Sequence, residues 1–169
     1  MATSKKNEQT QKQSLEDQLI KHIDEAYAME QNVLRMLDGM IATTDDRQLR
    51  RQLEHHKKET ERHAKRLNER LDAHGATPSA IKEAAGMLGA LMKGAIDLSR
   101  PEKPGRNARD GFATEHMEIA SYELLERVAK LAGDSKTAAV ARENRKEERE
   151  MARKIAASWD KVAELSVEA

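Results

Sequence analysis

Acidic side chains occupy positions of this chain where a buried helical stripe normally carries apolar residues. Within residues 115–122, Glu115 and Glu118 continue onto Tyr122 and Leu125 at the three- and four-residue spacing of a core-facing stripe. A buried carboxylate is costly unless a cation, a proton or a basic side chain meets it. The sequence therefore predicts one of these three partners beside Glu115 and Glu118.

The same interruption recurs in the other long helices. Their predicted core-facing stripes contain Glu30, then His56 with Glu59, and finally Glu148. All of these residues fall within about one turn of the middle of their helices. A metal ion shared at that height explains them together. Carboxylates with one or two imidazoles suit iron, manganese or zinc better than magnesium alone.

The residues near this layer leave alternatives open. We expect His63, one or two turns past the layer, to support the ligands rather than to bind metal. Tyr27 and Tyr122 either donate hydrogen bonds to ligands or only pack in the core. Arg145, one turn before Glu148, offers the main competing explanation, because a buried ion pair would neutralise a carboxylate without any metal.

Caps and helix breakers predict the elements that position these residues. Residues 1–13 have the composition of a disordered polar tail. Thr43, Thr44, Asp45 and Asp46 supply caps and first-turn acids for the second helix. We expect Gly75 to be a left-handed C-cap, while Gly133 and Asp134 end one helix and cap the next. The predicted long helices span 15–43, about 45–74, about 108–132 and about 135–165, and a shorter helix opened by Thr77-Pro78 spans 78 to about 97.

The connections between these helices predict one bundle. Tight turns make the first two and the last two long helices antiparallel. Between these pairs, the short helix would cover ~27 to 30 Å and return the chain along the bundle. The second and third long helices then run parallel. The expected fold is an all-α, up-down-down-up four-helix bundle formed by residues 14–169 as a single domain.

The composition agrees with an all-α protein and excludes several function classes. Lys plus Arg and Asp plus Glu number 30 each, so the zero net charge makes nucleic acid an unlikely partner. The chain has no cysteine, which excludes thiolate nucleophiles and thiolate metal sites. The polar N-terminus and the lack of a long apolar run predict neither a signal peptide nor a membrane span. We therefore expect a cytoplasmic protein.

Four segments of the sequence resemble the YciE/YciF-like branch of the bacterial ferritin-like superfamily. They are Tyr27-Ala28-Met29-Glu30-Gln31, His56-x-x-Glu59-Thr60, Glu115-His116-Met117-Glu118-Ile119-Ala120-Ser121-Tyr122 and Glu147-Glu148. The resemblance covers about residues 15–165 and implies a homodimer of ferritin-like bundles, a role in stress responses and a di-iron type of site. It implies these metal ligands: Glu30, His56, Glu59, Glu115, Glu118 and Glu148.

Three functional hypotheses follow. The first is a carboxylate-bridged site for iron, or for manganese or zinc, that reacts with oxygen or peroxide. The second is a helical interaction protein without bound metal, whose acids are neutralised by Arg145, protons or water. The third is DNA protection through the three lysines of residues 1–13, which has little support.

Overall fold

The computed structural model describes residues 2–79 and 104–168, with side chains from residue 13 onward. The structure in these ranges is helical, and its α-helices are α1 (Ala2–Ala42), α2 (Arg47–Ala73), α3 (Pro104–Leu131), α4 (Ser135–Ala156) and α5 (Trp159–Val167). None of the described helices combines the length and the apolar composition that a membrane crossing requires. The crossover helix predicted at 78 to about 97 lies outside the described residues from residue 80 onward.

Contacts at the two ends of the bundle establish the helix directions. At one end, Asn107 near the start of α3 donates a hydrogen bond of 3.0 Å to Thr43, just after α1. At the other end, His74 after α2 lies 2.9 Å from Asp134, which follows α3. Helices α2 and α3 therefore run parallel to each other, and the predicted up-down-down-up topology is confirmed.

The predicted caps set the helix ends. Asp46 accepts two backbone hydrogen bonds of 2.9 Å from the first turn of α2. Gly75, which follows α2, has a φ of 67°, and Gly133 between α3 and α4 has a φ of 76°. These left-handed conformations favour glycine because it has no Cβ. The connections that make neighbouring helices antiparallel are therefore encoded locally.

Asp134 joins three elements at one end of the bundle. It caps α4 by accepting from the backbone N–H of Thr137 at 3.0 Å, and it binds Arg70 at 3.0 Å and His74 at 2.9 Å. Burial acts to raise the pKa of Asp134, but the hydrogen bonds from Thr137, His74 and Arg70 outweigh it. They hold the pKa of this carboxyl well below its usual range, so the carboxylate stabilises the fold in its charged form.

Two helix boundaries differ from the predicted ones. Helix α1 begins at Ala2 rather than near 15, since the Lys, Glu and Gln residues of this stretch have high helix propensity. That residues 1–13 stand apart from the 14–169 domain stays a prediction. The fourth helix is not continuous to 165. Both Oγ and N–H of Ser158 bind the carbonyl of Ile155, at 2.7 and 2.9 Å, so α4 ends at Ala156 and α5 begins at Trp159.

The core has apolar clusters on both sides of a polar layer. One cluster includes Leu19 and Ile23 of α1, while the other includes Val33 and Met40 of the same helix. Glu30 lies between the two clusters and is 0% exposed. The bundle thus surrounds a carboxylate with apolar side chains above and below it.

Candidate metal centre

Six side chains with metal-binding atoms converge in this polar layer. None of them is more than 2% exposed. They come from all four long helices: Glu30 from α1, His56 and His63 from α2, Glu115 and Glu118 from α3, and Glu148 from α4. Their facing atoms form two groups, and within each group these atoms lie within 4.8 Å of one another. The predicted gathering of acids from four helices is therefore present.

The first group consists of His56, Glu115, Glu118 and Glu148. His56 Nε2 lies 3.2 Å from an oxygen of Glu115 and 3.6 Å from Oε2 of Glu148. Glu115 and Glu118 are three residues apart on α3 and therefore point to the same side of that helix. One imidazole nitrogen and carboxylates from two other helices thus face a common point.

The second group consists of Glu30, His63 and Glu148. His63 Nδ1 lies 2.7 Å from Oε1 of Glu148 and 3.7 Å from Oε2 of Glu30. Glu148 belongs to both groups and directs one oxygen toward each histidine. Its carboxylate is placed to bridge two neighbouring cation positions.

A carboxylate also orients each histidine from behind. Glu59 lies 3.3 Å from Nδ1 of His56, on the ring edge opposite the first group. Glu147 lies 2.6 Å from Nε2 of His63, on the edge opposite the second group. A neutral imidazole that donates to its carboxylate keeps a lone pair on the other nitrogen. His56 would therefore bind a metal through Nε2, and His63 through Nδ1.

Many of the converging atoms lack a hydrogen bond. Eight buried atoms of the two groups make no hydrogen bond of normal geometry among the described residues: Glu30 Oε2, His56 Nε2, His63 Nδ1, Glu115 Oε2, both oxygens of Glu118 and both oxygens of Glu148. Close contacts between a histidine and a carboxylate involve His56, His63, Glu30 and Glu148, whereas Glu118 has no such contact in the described part of the chain. Each unsatisfied buried polar atom costs about 1 to 3 kcal/mol. A cation at the centre of each group would satisfy all of them, so the residues present fit a metal site.

Burial and mutual repulsion shift the pKa values in this layer. Burial raises the pKa of Glu118 well above its usual range, and the charges of Glu148 and Glu30 raise it further. Burial likewise raises the pKa of Glu148 to about 7. For His63, burial acts to lower the pKa, but the adjacent Glu148 and Glu30 carboxylates raise it to about 10. Without a cation, the layer therefore holds protons at neutral pH.

Tyr122 and Asn144 complete the surroundings of Glu30. The Tyr122 hydroxyl donates a hydrogen bond to Glu30 Oε1 and accepts one of 3.0 Å from Asn144. Burial raises the pKa of Tyr122 well above its usual range, as does the charge of Glu30, so the phenol stays a donor. This fixes one oxygen of Glu30 and leaves Oε2 directed at the second group. Asn144 was not predicted as a site residue, although its polar side chain one turn before Glu148 could have indicated it.

The structure distributes the other predicted site residues differently. Glu59 is in neither group, and its carboxylate instead faces His56 and, at 3.2 Å, His55. His63 faces two carboxylates directly, although it was expected only to support ligands. Tyr27 is partly buried against the apolar core and makes no hydrogen bond to the layer within the described residues. Arg145 binds Glu123 and Glu126.

The position of Arg145 removes one explanation for the acids. Its guanidinium contacts Glu123 and, at 2.6 Å, Glu126, rather than Glu148. Within the described part of the chain, the ion pairs of Glu30, Glu115 and Glu148 are to histidines. The competing prediction that Arg145 neutralises Glu148 is therefore wrong. Protons, water and metal ions remain as the candidates.

Comparison with known proteins identifies the family. The model of the family described as "Domain of unknown function (DUF892)" matches residues 14–168. The chain belongs to this family. Because E. coli YciF is among its similar structures, the resemblance to the YciF-like branch is confirmed.

Solved structures show that the DUF892 chain has a ferritin-like fold. A protein from Xanthomonas campestris pv. campestris is 25% identical, with a TM-score of 0.76 over 92% of this chain and 97% of that one. The E. coli stress protein YciF is 21% identical, with a TM-score of 0.77 over 89% and 97% of the two chains. A bacterioferritin from Desulfovibrio desulfuricans, described as having a diiron site, is 19% identical, with a TM-score of 0.74 over 92% and 85%.

Proposed function

We propose that this protein binds two divalent transition-metal ions, iron first and manganese or zinc as alternatives, and that it reacts with oxygen or peroxide. The eight buried ligand atoms that converge in two groups without a hydrogen bond of normal geometry carry this proposal. A site that served only packing would gain from apolar residues at these positions. The bacterioferritin described as having a diiron site shares the fold and supports the assignment.

The ligand sets follow from the two groups. His56, Glu115, Glu118 and Glu148 would hold one ion, while Glu30, His63 and Glu148 would hold the other. Glu148 would contribute to both. The four carboxylates carry four negative charges when ionised, which two divalent ions neutralise when both histidines are neutral. The donor set therefore balances the charge that burial would otherwise make costly.

The protein's own residues would hold protons and exclude water around the pair. A pair of Fe(II) ions held there would supply the two electrons that reduce a peroxide bond, one from each ion, whereas zinc would occupy the site without redox chemistry. Glu59 and Glu147 keep the imidazole protons on the far edges of His56 and His63. Tyr122 keeps its proton and fixes Glu30. The apolar clusters on both sides limit the access of water to the layer.

Metal analysis of the purified chain tests this assignment. We expect about two ions per chain after anaerobic Fe(II) or Mn(II) loading, and loss of both in Glu148→Ala, because Glu148 faces both groups. His56→Ala should retain the second ion and His63→Ala the first. Glu143→Ala is the matched control, because Glu143 lies one turn before Glu147 and, among the described residues, its carboxylate binds Arg66 and no residue of the layer.

Two results would contradict the proposal. The first is absence of metal from the loaded wild type, which would leave a proton-neutralised bundle without this chemistry. The second is loss of metal in Glu143→Ala as complete as in Glu148→Ala. Peroxide consumption by loaded wild type, absent in Glu148→Ala, would then identify the reaction. Formation of a homodimer and a cytoplasmic location stay predictions.

A further inference from the structure

A cavity of about 560 Å³ lies at the end of the bundle where α1 ends and α3 begins. Its wall includes Met36, Met40, Gly111, Met151, Ile155 and Val162. These residues come from α1, α3, α4 and α5 and are all buried. The volume is in the range of cavities that hold small organic molecules, roughly 300 to 1,000 Å³.

The chemistry of the wall selects an apolar, uncharged molecule. Methionine side chains are unbranched and polarizable, so three of them around one space can adapt to different apolar shapes. No lysine or arginine lines the cavity within the described residues, and its ionisable wall residues are acidic: Asp45, Asp46, Glu115 and Glu168. These carboxylates would repel an anionic molecule such as a fatty acid, although Lys161, which does not itself line the cavity, pairs with Asp46 at 2.7 Å.

One residue of the cavity wall also belongs to the polar layer. Glu115 lines the cavity and also lies 3.2 Å from His56 in the first ligand group. A molecule that fills the cavity would therefore end beside the first metal position. The break between α4 and α5 shapes this space, because Ser158 at the break and Val162 of α5 both line it.

We propose that this cavity binds a neutral, apolar organic molecule, one end of which lies against Glu115. That the end against Glu115 is the part of the molecule that reacts rests on the proposed function. The substrate class of the site is then an organic molecule that enters along the bundle axis. Binding itself depends only on the cavity and can be measured without metal.

Fluorine NMR of 1-fluoronaphthalene with the full chain tests the proposal. We expect saturable binding to the metal-free protein. When the protein is loaded with Mn(II), the paramagnetic ion should broaden the bound resonance, whereas diamagnetic Zn(II) should not. Strong broadening would place the probe near the ligand layer, because the paramagnetic effect falls steeply with distance, and its loss in Gly111→Leu would distinguish the cavity from an exposed apolar patch.

Substitution of Gly111 gives a graded control. A Cβ added there would meet Ile155 at 3.5 Å and Met40 at 3.9 Å, which are ordinary contacts. Gly111→Ala should therefore bind the probe nearly as well as wild type. Gly111→Leu places its further atoms in the cavity and should weaken binding at least ~tenfold, with the metal count unchanged.

The outcomes separate this proposal from the proposed function. Absence of saturable binding to the wild type, equal binding to Gly111→Leu, or no broadening by bound Mn(II) would each overturn the cavity assignment. If no metal binds but the probe binds and is lost in Gly111→Leu, the cavity stands as a binding site and only the proposed function fails.

Discussion

Replacement of Glu118 by methionine should separate metal binding from stability. Glu118 is 0% exposed, and neither of its oxygens has a hydrogen-bond partner among the described residues. Burial raises its pKa well above the usual range, so the charged form of this side chain is disfavoured in the metal-free protein. Methionine has a similar length and fills the same space without polar atoms. The variant should therefore fold and lose the first ion.

The magnitude follows from the unsatisfied group. Removal of a buried, unpartnered polar group is worth about 1 to 3 kcal/mol, so metal-free Glu118→Met should be more stable than metal-free wild type by that amount. For a chain of this size this corresponds to ~2 to 12 °C in Tm. Bound metal has the opposite effect, because it stabilises the wild type more than the variant. At a free metal concentration of 100 times Kd, each bound ion stabilises the folded state by ~2.7 kcal/mol.

Urea unfolding with chelator and with Mn(II) measures both effects. The free energy of unfolding of Glu118→Met should exceed that of wild type in chelator. Manganese should shift the difference toward wild type by at least ~2.7 kcal/mol, because the variant lacks one ion. Glu123→Met removes a partly buried carboxylate of the same helix that binds Arg145 outside the layer, so it should show no such metal-dependent shift. A metal-free variant clearly less stable than wild type would refute the idea that the cluster costs stability.

Three further predictions concern other parts of the site and fold. Glu147→Gln should keep the metal count but weaken the second ion ~10- to 100-fold in calorimetric titration, because His63 loses its orienting carboxylate; unchanged affinity would contradict this role. The pKa of His63 is raised to about 10 and that of Glu148 to about 7, so Mn(II) must displace protons when it binds. Between pH 6 and 7 the affinity for Mn(II) should therefore rise by ~tenfold per pH unit for each proton displaced. An affinity that falls as the pH rises would refute this. Asp134→Ala should lower the free energy of unfolding by ~2 to 4 kcal/mol at pH 7. Because folding lowers the pKa of Asp134, this difference between variant and wild type should shrink as the pH falls below about 4. A difference that does not change with pH would show that the charge of Asp134 is irrelevant.

Local signals were enough to predict the architecture. Asp46, Gly75, Gly133 and Asp134 act within a few residues of themselves, as caps and left-handed turns do, so the helix ends could be predicted from their types. The length of the segment between the two helix pairs then required a crossover, and hence the parallel arrangement of α2 and α3. The helix break at Ser158 was not predicted, because it depends on how Val162 packs in the core.

The chain itself also determined that a polar layer exists. Glu30, Glu115, Glu118 and Glu148 interrupt apolar stripes near the middle of their helices, and helical periodicity makes such positions face the core. Periodicity alone does not fix what each side chain meets across the bundle. For this reason the pairing of Arg145 with acids other than Glu148 could not be predicted.

Only the tertiary structure decided the parts played by the α2 residues. At ~100° per residue, His63 lies within ~20° of the direction of His56, whereas Glu59 lies ~60° away. Yet His63 is also two turns along the helix, so the sequence placed it beyond the layer. The Glu148 carboxylate from α4 lies between the two histidines and brings both into one site. That position depends on how α4 packs against α2, which no spacing within α2 specifies.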